Sequence, residues 1–171
     1  VQTGQLEKAK KDYDTLIDYS GGPLVYKAYL SRGQFYESIK EYDEALKNYT
    51  RAYELSNEKL PVLKLRVALL DKTGKSDLNF DDLNEIIKLN PRDDDAYRAR
   101  GEIYLKRGMF EKALSDFNRV IESSPEFALG AYEGRALVYE KLAKPALAAR
   151  DRVSAKKIYD RPAEKPIYKI K

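Results

Sequence analysis

The sequence predicts an all-α solenoid of about nine helices, in which antiparallel helix pairs stack to form a single domain over residues 1–171. Two observations predict this fold. A motif of two amphipathic helices joined by a tight turn recurs every 34 or 35 residues, and repeats of that length form stacked solenoids. In addition, 43% of the residues are hydrophobic, which is sufficient for a continuous core. The chain has only nine Gly and seven Pro, which argues against disorder.

The clearest copy of the motif spans residues 94–127. Small and apolar residues follow helical spacing on both sides of a turn at Gly108, which indicates two helices. Pro125 cannot continue a helix, so the second helix should end just before it. Such a pair cannot bury both of its faces alone and must stack on copies of itself. The spaced residues are Tyr97, Gly101 and Tyr104 in the first helix, and Ala113, Phe117, Val120 and Ile121 in the second.

The same motif accounts for most of the remaining chain. Residues 26–59 and 129–162 repeat it closely, and Pro145 suits the first turn of the last helix. Residues 60–93 keep the period but are degenerate, because Asn79 stands where the motif has a small residue at the helix crossing. We expect the crossing to loosen there.

The two ends of the chain differ from a full copy. Residues 1–22 match only the second helix of the motif, which predicts a lone helix from a repeat that has been cut, or a helix that caps the stack. Residues 163–171 have no helical period and are predicted to form an extended tail. The exposed apolar face of residues 5–18 and this tail also permit self-association.

The order of residues in the motif resembles the tetratricopeptide repeat: an aromatic, a small residue, Tyr, Ala, an aromatic and a closing Pro within 34 residues. The resemblance covers nearly the whole chain and implies a right-handed superhelix. It also implies a non-enzymatic scaffold that assembles a complex by binding a protein or peptide in a concave groove lined by the first helices. Chaperone-binding members of the family use Lys and Asn on successive first helices. Leu30 and Gln34 stand at the first of these positions, so recognition of chaperone tails is not implied.

Transferred position by position, the resemblance places a mixed and mostly polar set of side chains in the groove. Such a set suits an extended or helical peptide that carries both charge signs and uses a few apolar pockets. The alternative is an ordinary solvated helix face. The expected groove residues are Lys27, Leu30, Gln34, Lys64, Ala68, Asp71, Arg98, Glu102, Leu105, Glu133 and Leu137.

An Arg recurs on each first helix and an acid or amide recurs on each second helix. The Arg residues are Arg32, Arg66, Arg100 and Arg135, and the acids or amides are Asp12, Asn48, Asp82, Asp116 and Asp151. Because the two series recur at the same spacing, we expect each Arg to pair with the acid or amide of its repeat in a structural ladder, with the aliphatic part of the Arg side chain packed on Tyr rings. The alternative is an Arg row that binds phosphate, which the acids would neutralise.

The residue types argue against catalysis and metal binding. The chain contains no Cys and no His, so it lacks thiolates and the commonest general base and metal ligand. We therefore expect no enzyme activity, no cofactor and no metal site. A lack of Cys fits reducing and oxidising compartments equally, which leaves both the cytoplasm and a soluble part of a membrane-associated protein open.

The net charge of +4 is concentrated at the C-terminal end. Residues 141–171 contain ten Lys and Arg against three acids, with Tyr159 and Tyr168 among them. Cations interleaved with aromatic rings suit RNA, and cations alone suit an anionic lipid surface. An anion-binding module is therefore the second functional hypothesis. We favour the alternative that the basic end is a solubilising cap on the solenoid, which makes a protein the preferred partner.

Overall fold

A computed structural model describes residues 2–20 and 22–161, and within these ranges the chain forms nine α-helices, two 3-10 turns and no β-strand. The tail expected at residues 163–171 lies outside the described residues. The helices are α1 (Gln2–Tyr19), α2 (Val25–Ser38), α3 (Tyr42–Leu55), α4 (Lys59–Lys72), α5 (Phe80–Leu89), α6 (Asp94–Lys106), α7 (Phe110–Ser123), α8 (Leu129–Lys141) and α9 (Pro145–Tyr159). The 3-10 turns are Gly22–Leu24 and Ser76–Asn79.

The chain divides into two compact units, Val1–Pro91 and Arg92–Lys171. In the first unit, α2 pairs with α3 and α4 pairs with α5, while α3 also packs on α4 and α1 lies against α2. Ala45, Tyr49 and Leu69 form a buried cluster at the contact of these helices. The lone first helix therefore packs on the pair that follows it.

In the second unit, α6 pairs with α7 and α8 pairs with α9, and α7 also packs on α8. The core of this unit is a buried cluster that joins α7 to α8. It consists of Ala113, Phe117, Val120, Ala128, Ala131 and Val138. Burial of these apolar side chains is the main stabilising contribution here, at about 25 cal/mol for each Å² removed from water.

Phe117 fits between two helices because each presents a glycine to its ring. A Cβ atom at Gly101 on α6 would lie 2.8 Å from Phe117 Cε1, and one at Gly134 on α8 would lie closer still to Phe117 Cζ. In the first unit, a Cβ atom at Gly33 would lie 2.6 Å from the Tyr49 ring. The small residues of the motif thus allow a buried aromatic ring to touch helix backbone.

Each helix pair is joined by a turn that contains one residue in the left-handed conformation. These residues are Lys40, Gly74, Gly108 and Ala143, with φ of 64°, 71°, 69° and 54°. The amide that follows each of them donates to a carbonyl of the preceding helix, such as Met109 N–H to Tyr104 O at 2.9 Å. This is the Schellman arrangement, which satisfies the last carbonyls of a helix.

The degenerate repeat differs from the others at the start of its second helix. Asp82 lies only two residues after the beginning of α5, whereas Asp116 lies six residues after the beginning of α7. The missing α-helical turn is replaced by the 3-10 turn Ser76–Asn79, which is wound more tightly. Asn79 is fully buried there, and its Nδ2 donates to Asp71 Oδ1 at 2.9 Å.

Candidate partner-binding surface

The eleven residues expected in the groove all lie on the first helices of their pairs, α2, α4, α6 and α8. We call these eleven residues the first-helix face. Their contact with a partner stays a prediction, whereas their exposure and their contacts within each unit follow from the structure.

In the first unit, most of the first-helix face is open to solvent. Lys27, Gln34, Lys64 and Ala68 are exposed, so their side chains are accessible to a partner. Leu30 is half-buried and packs against the cluster of Ala45, Tyr49 and Leu69. Leu30 therefore contributes to the core as well as to the surface.

Glu37, at the end of α2, connects three helices beside this surface. Its carboxylate accepts hydrogen bonds from Lys72 Nζ on α4 at 3.0 Å and from the Tyr49 hydroxyl on α3 at 2.8 Å. The hydrogen bond from Lys72 is the main reason that the pKa of Glu37 is lowered. Burial, followed by the contact with Glu37, raises the pKa of the Tyr49 phenol. The sequence pattern placed Glu37 near the groove but did not indicate these two contacts, since the partners are 12 and 35 residues away.

In the second unit, the first-helix face combines two acids, one Arg and two Leu. Glu102, Glu133 and Leu137 are exposed. Arg98 is held in place, because it donates to Glu102 Oε1 at 2.6 Å and its Cδ lies 2.9 Å from the position of a Cβ at Gly130. Leu105 is half-buried and packs against the core cluster of α7 and α8, as Leu30 does in the first unit.

The Arg residues of the expected ladder face the predicted positions on the second helices. Arg100 donates two hydrogen bonds of 2.8 Å to the Asp116 carboxylate, and Arg135 donates two of 2.8 Å to Asp151. These hydrogen bonds are the main reason that the pKa of each guanidinium is raised. The guanidinium carbons lie 5.5–5.9 Å from the centroids of Tyr rings on their own helices, within range of a cation–π attraction.

Two of these Arg residues also contact the helix that precedes their pair. Arg32 donates to Asn48 Oδ1 at 2.7 Å and to Asp14 of α1 at 2.5 Å. Arg135 donates in addition to Asn118 of α7 at 2.5 Å. Asp14 and Asn118 occupy the same position in their repeats, 104 residues apart. The pattern of the repeats did not predict this second set of partners.

The pair in the degenerate repeat has poorer geometry. Arg66 Nε lies 3.1 Å from Asp82 Oδ2, yet neither atom makes a hydrogen bond although both are buried. Burial raises the pKa of Asp82, and the attraction of Arg66 only partly opposes this effect. The poor geometry of the Arg66–Asp82 pair results from the 3-10 turn, because this turn places Asp82 in the first turn of α5 rather than deeper in the helix.

The described residues contain no group of acidic side chains that is arranged to hold a metal ion. In residues 2–20 and 22–161, every helix is too short or too polar to cross a bilayer.

Two models of the tetratricopeptide repeat match residues 1–58 and 94–127, together more than half of the chain. The chain belongs to the tetratricopeptide repeat family. Its similarity to curated relatives is partial: it is 30% identical over 100 residues to heat shock protein STI1 of Saccharomyces cerevisiae, covering 58% of this chain and 17% of that protein. It is 26% identical over 133 residues to mitochondrial import receptor subunit TOM70 of Rattus norvegicus, covering 70% and 21%. The chain thus spans about a quarter or less of the length of these relatives.

Solved structures of tetratricopeptide repeat proteins are similar over nearly all of the chain. YrrB, described as having an unusual peptide-binding site, superimposes with a TM-score of 0.72 at 23% identity and covers 92% of this chain and 79% of its own. MamA superimposes with a TM-score of 0.74 at 21% identity and covers 92% and 91%. At these identities the similarity concerns the fold, and it confirms the all-α tetratricopeptide solenoid class that the sequence predicted.

Proposed function

We propose that this tetratricopeptide repeat chain is a non-enzymatic scaffold that binds a peptide or protein partner on its first-helix face and helps to assemble a complex. One observation carries the proposal: the first helices of both units present exposed apolar and charged side chains that the cores do not use. Ala68 is exposed in the first unit and Leu137 is 44% exposed in the second. An apolar side chain among charged neighbours suits a peptide held by shallow pockets and polar contacts.

The charges of the two units differ, which specifies the partner further. The exposed Lys27 and Lys64 lie on the first helices of the first unit. In the second unit, Glu102 and Glu133 are exposed, and Arg98 is engaged by Glu102. We therefore expect the partner to offer acidic groups to the first unit and basic groups to the second. Such complementarity contributes to specificity more than to affinity.

The relatives support a role in protein interaction. The tetratricopeptide fold is typical of protein–protein interaction scaffolds. YrrB is described as having a peptide-binding site, and TOM70 is named as an import receptor subunit. A chain without His or Cys also lacks the residues that most often act as general base or thiolate nucleophile.

The second candidate is an anion-binding module that uses the basic C-terminal end on RNA or membrane lipid. It is favoured by the exposed Arg150, Lys156 and Lys157 of α9. It is disfavoured because other cations of this region face carboxylates: Arg152 bonds to Glu140 at 2.6 Å, and Arg161 lies 3.8 Å from Glu126. Affinity that falls steeply between low and moderate salt would identify this second function.

A pull-down from nuclease-treated lysate, quantified by mass spectrometry, tests the scaffold proposal. The test variant combines Lys64→Glu and Leu137→Arg, which change exposed residues of the first-helix face in both units. The matched control combines Lys47→Glu on α3 and Leu147→Arg on α9, which are exposed residues on second helices. Both variants carry the same change of charge, and circular dichroism checks that both are folded.

We expect the wild-type chain and the control to enrich the same protein and the test variant to lose it by about tenfold or more, which corresponds to about 1.4 kcal/mol of binding free energy. Equal enrichment by both variants would contradict the assignment of the first-helix face. Loss in the control alone would move the site to the second helices.

A further inference from the structure

The connection between α4 and α5 contains buried polar groups that its helix pair does not satisfy. Among residues 2–20 and 22–161, four buried side-chain atoms lack a hydrogen-bond partner, and three of them lie in this pair: Arg66 Nε, Asn79 Oδ1 and Asp82 Oδ2. In the equivalent pair α6–α7, Arg100 donates two hydrogen bonds to Asp116. A buried polar group without a partner destabilises the folded state, because it has lost its contact with water. At these positions the α4–α5 pair is therefore less stable than the α6–α7 pair.

The crossing of α4 and α5 also lacks the small residues of the regular pairs. In the α6–α7 pair, Gly101 allows the ring of Phe117 to touch the helix backbone. At the equivalent positions, 34 residues earlier, α4 has Val67 and α5 has Leu83. Asn79 replaces the Ala that the other full repeats have at this crossing, and it is fully buried. The amide of Asn79 is therefore a polar group in a place where the fold otherwise has a methyl group.

One hydrogen bond holds this amide in the core. Asn79 Nδ2 donates to Asp71 Oδ1 at 2.9 Å. Asp71 lies in the last turn of α4 and Asn79 ends the 3-10 turn, so the bond joins the two sides of the connection. Burial of Leu83, 1% exposed, also favours the closed form. Because Asp71 is exposed and water would reach Asn79 Oδ1 outside the core, opening costs less here than in the regular pairs.

We propose that residues 73–82 form a latch that opens locally while the rest of the first unit stays folded, and that the Asp71–Asn79 hydrogen bond keeps it closed. Proteins open locally where packing and hydrogen bonding are weakest, and these residues include the 3-10 turn and the first turn of α5. The latch is a property of the chain alone. Because Asp71 also belongs to the first-helix face, opening would change how the end of α4 is presented to a partner, a consequence that rests on the proposed function.

Hydrogen exchange of the intact chain, measured by mass spectrometry, tests the latch. Exchange of residues 73–82 is compared with that of residues 107–116, which occupy the equivalent positions of the α6–α7 pair. The variant Asp71→Ala removes the acceptor of the hydrogen bond. The variant Asn79→Ala restores the Ala of the regular repeats, and a third variant combines both changes.

We expect residues 73–82 to exchange about tenfold faster than residues 107–116 in the wild-type chain. Asp71→Ala should accelerate exchange of the latch about tenfold, or about 1.4 kcal/mol, and Asn79→Ala should slow it by a similar factor. In the combined variant, Asp71→Ala should have little further effect, since the amide that it held is absent. Without the hydrogen bond, Asp71→Ala would instead slow exchange, because an acid near the C-terminus of a helix is unfavourable and Ala is the best helix former.

Lys75→Ala is the control within the same connection. It breaks an ion pair of 2.9 Å with Asp43 in which both side chains are exposed, and such pairs contribute little to stability. Exchange of the latch should therefore stay within about twofold of the wild type. Residues 25–55, which contain α2 and α3, should keep their wild-type exchange in every variant, because the opening is local.

Three results would overturn the proposal. One is equal exchange of residues 73–82 and 107–116 in the wild-type chain. Another is an acceleration by Asp71→Ala that persists in the Asn79→Ala background. The third is faster exchange of residues 25–55 in Asp71→Ala, which would mean that the whole unit opens. No partner enters these measurements, so their failure would leave the scaffold proposal standing, and failure of the pull-down would leave the latch standing.

Discussion

At the scale of single residues, two of the four helix–helix turns contain a residue that is poorly suited to its backbone. Lys40 and Ala143 have φ of 64° and 54°, whereas the equivalent positions of the other pairs are Gly74 and Gly108. A side chain in the left-handed conformation costs roughly 1–2 kcal/mol, and glycine avoids this cost.

We therefore predict that Lys40→Gly and Ala143→Gly each raise the free energy of unfolding by about 1 kcal/mol. Thermal or urea unfolding followed by circular dichroism measures the change. Gly108→Ala is the matched reverse substitution and should lower stability by a similar amount. Destabilisation by both glycine variants would show that the turns are not strained.

Gly134 is required for packing rather than for backbone conformation, because its lack of a side chain leaves room for the ring of Phe117. We predict that Gly134→Ala lowers the free energy of unfolding by about 2 kcal/mol, because the ring or the helix must shift to make room. Gly4 lies in α1 with no atom within 4 Å of an added Cβ, so Gly4→Ala should be neutral or stabilising. Equal stability changes in the two variants, measured by urea unfolding, would contradict close contact at Gly134.

At the scale of helix pairs, the ladder of Arg residues divides into good and poor pairs. Asp116 is almost fully buried and accepts two hydrogen bonds from Arg100, whereas Asp82 accepts none from Arg66 at its buried Oδ2. In the first repeat, Asn48 already replaces the acid and accepts a hydrogen bond of 2.7 Å from Arg32. In that repeat the carboxylate comes from Asp14, to which Arg32 also donates.

From this difference we predict that Asp116→Asn lowers the free energy of unfolding by about 3 kcal/mol, because it breaks a buried charge pair. Asp82→Asn should be neutral or stabilising at pH 7, since it removes a carboxylate that burial disfavours. Differential scanning calorimetry of both variants gives the comparison. A similar loss of unfolding free energy in both variants would mean that the two Arg–Asp pairs stabilise the protein equally, which would contradict the prediction.

The shifted pKa values of Asp82 and Glu37 predict a pH dependence of stability. The pKa of Asp82 is raised in the folded state, so its contribution is most favourable below its unfolded pKa, near ~3.9, and is lost as pH rises through the folded value. The stability of Asp82→Asn relative to wild type should therefore increase between about pH 4 and pH 7. Glu37 has a lowered pKa, so its stabilising contact is present at neutral pH and is lost on acidification. Glu37→Gln should accordingly show the opposite trend, and parallel trends would contradict the account.

At the scale of the whole molecule, the period of the sequence was the most informative signal. It predicted the helix pairs, and α2 and α4 begin one residue before the ranges expected from it. The sequence also indicated the Arg ladder, because both partners recur in step. It could not reveal the role of Glu37 or of Asp14, since each contacts a residue on a helix outside its own pair. The sequence did not predict the 3-10 turn, although Asn79 in place of a small residue indicated that this repeat departs from the others.

Self-association through the first helix stays a prediction at this scale. Leu16 is 46% exposed and Tyr19 is 85% exposed on α1, which leaves apolar surface for a second copy. Sedimentation equilibrium at several concentrations should show dimers that Leu16→Lys reduces. A strict monomer at high concentration would contradict it.

The central claim is that a partner lies on the first helices, and photo-crosslinking tests it most directly. A benzophenone amino acid placed at Leu137 on α8 is compared with the same group at Leu147 on α9, in the complex with the captured partner. Leu137 and Leu147 are exposed to a similar extent, at 44% and 40%, so accessibility alone would label both. We predict a crosslink to the partner from position 137 and little from position 147. Efficient crosslinking from 147 with none from 137 would contradict the proposed binding surface.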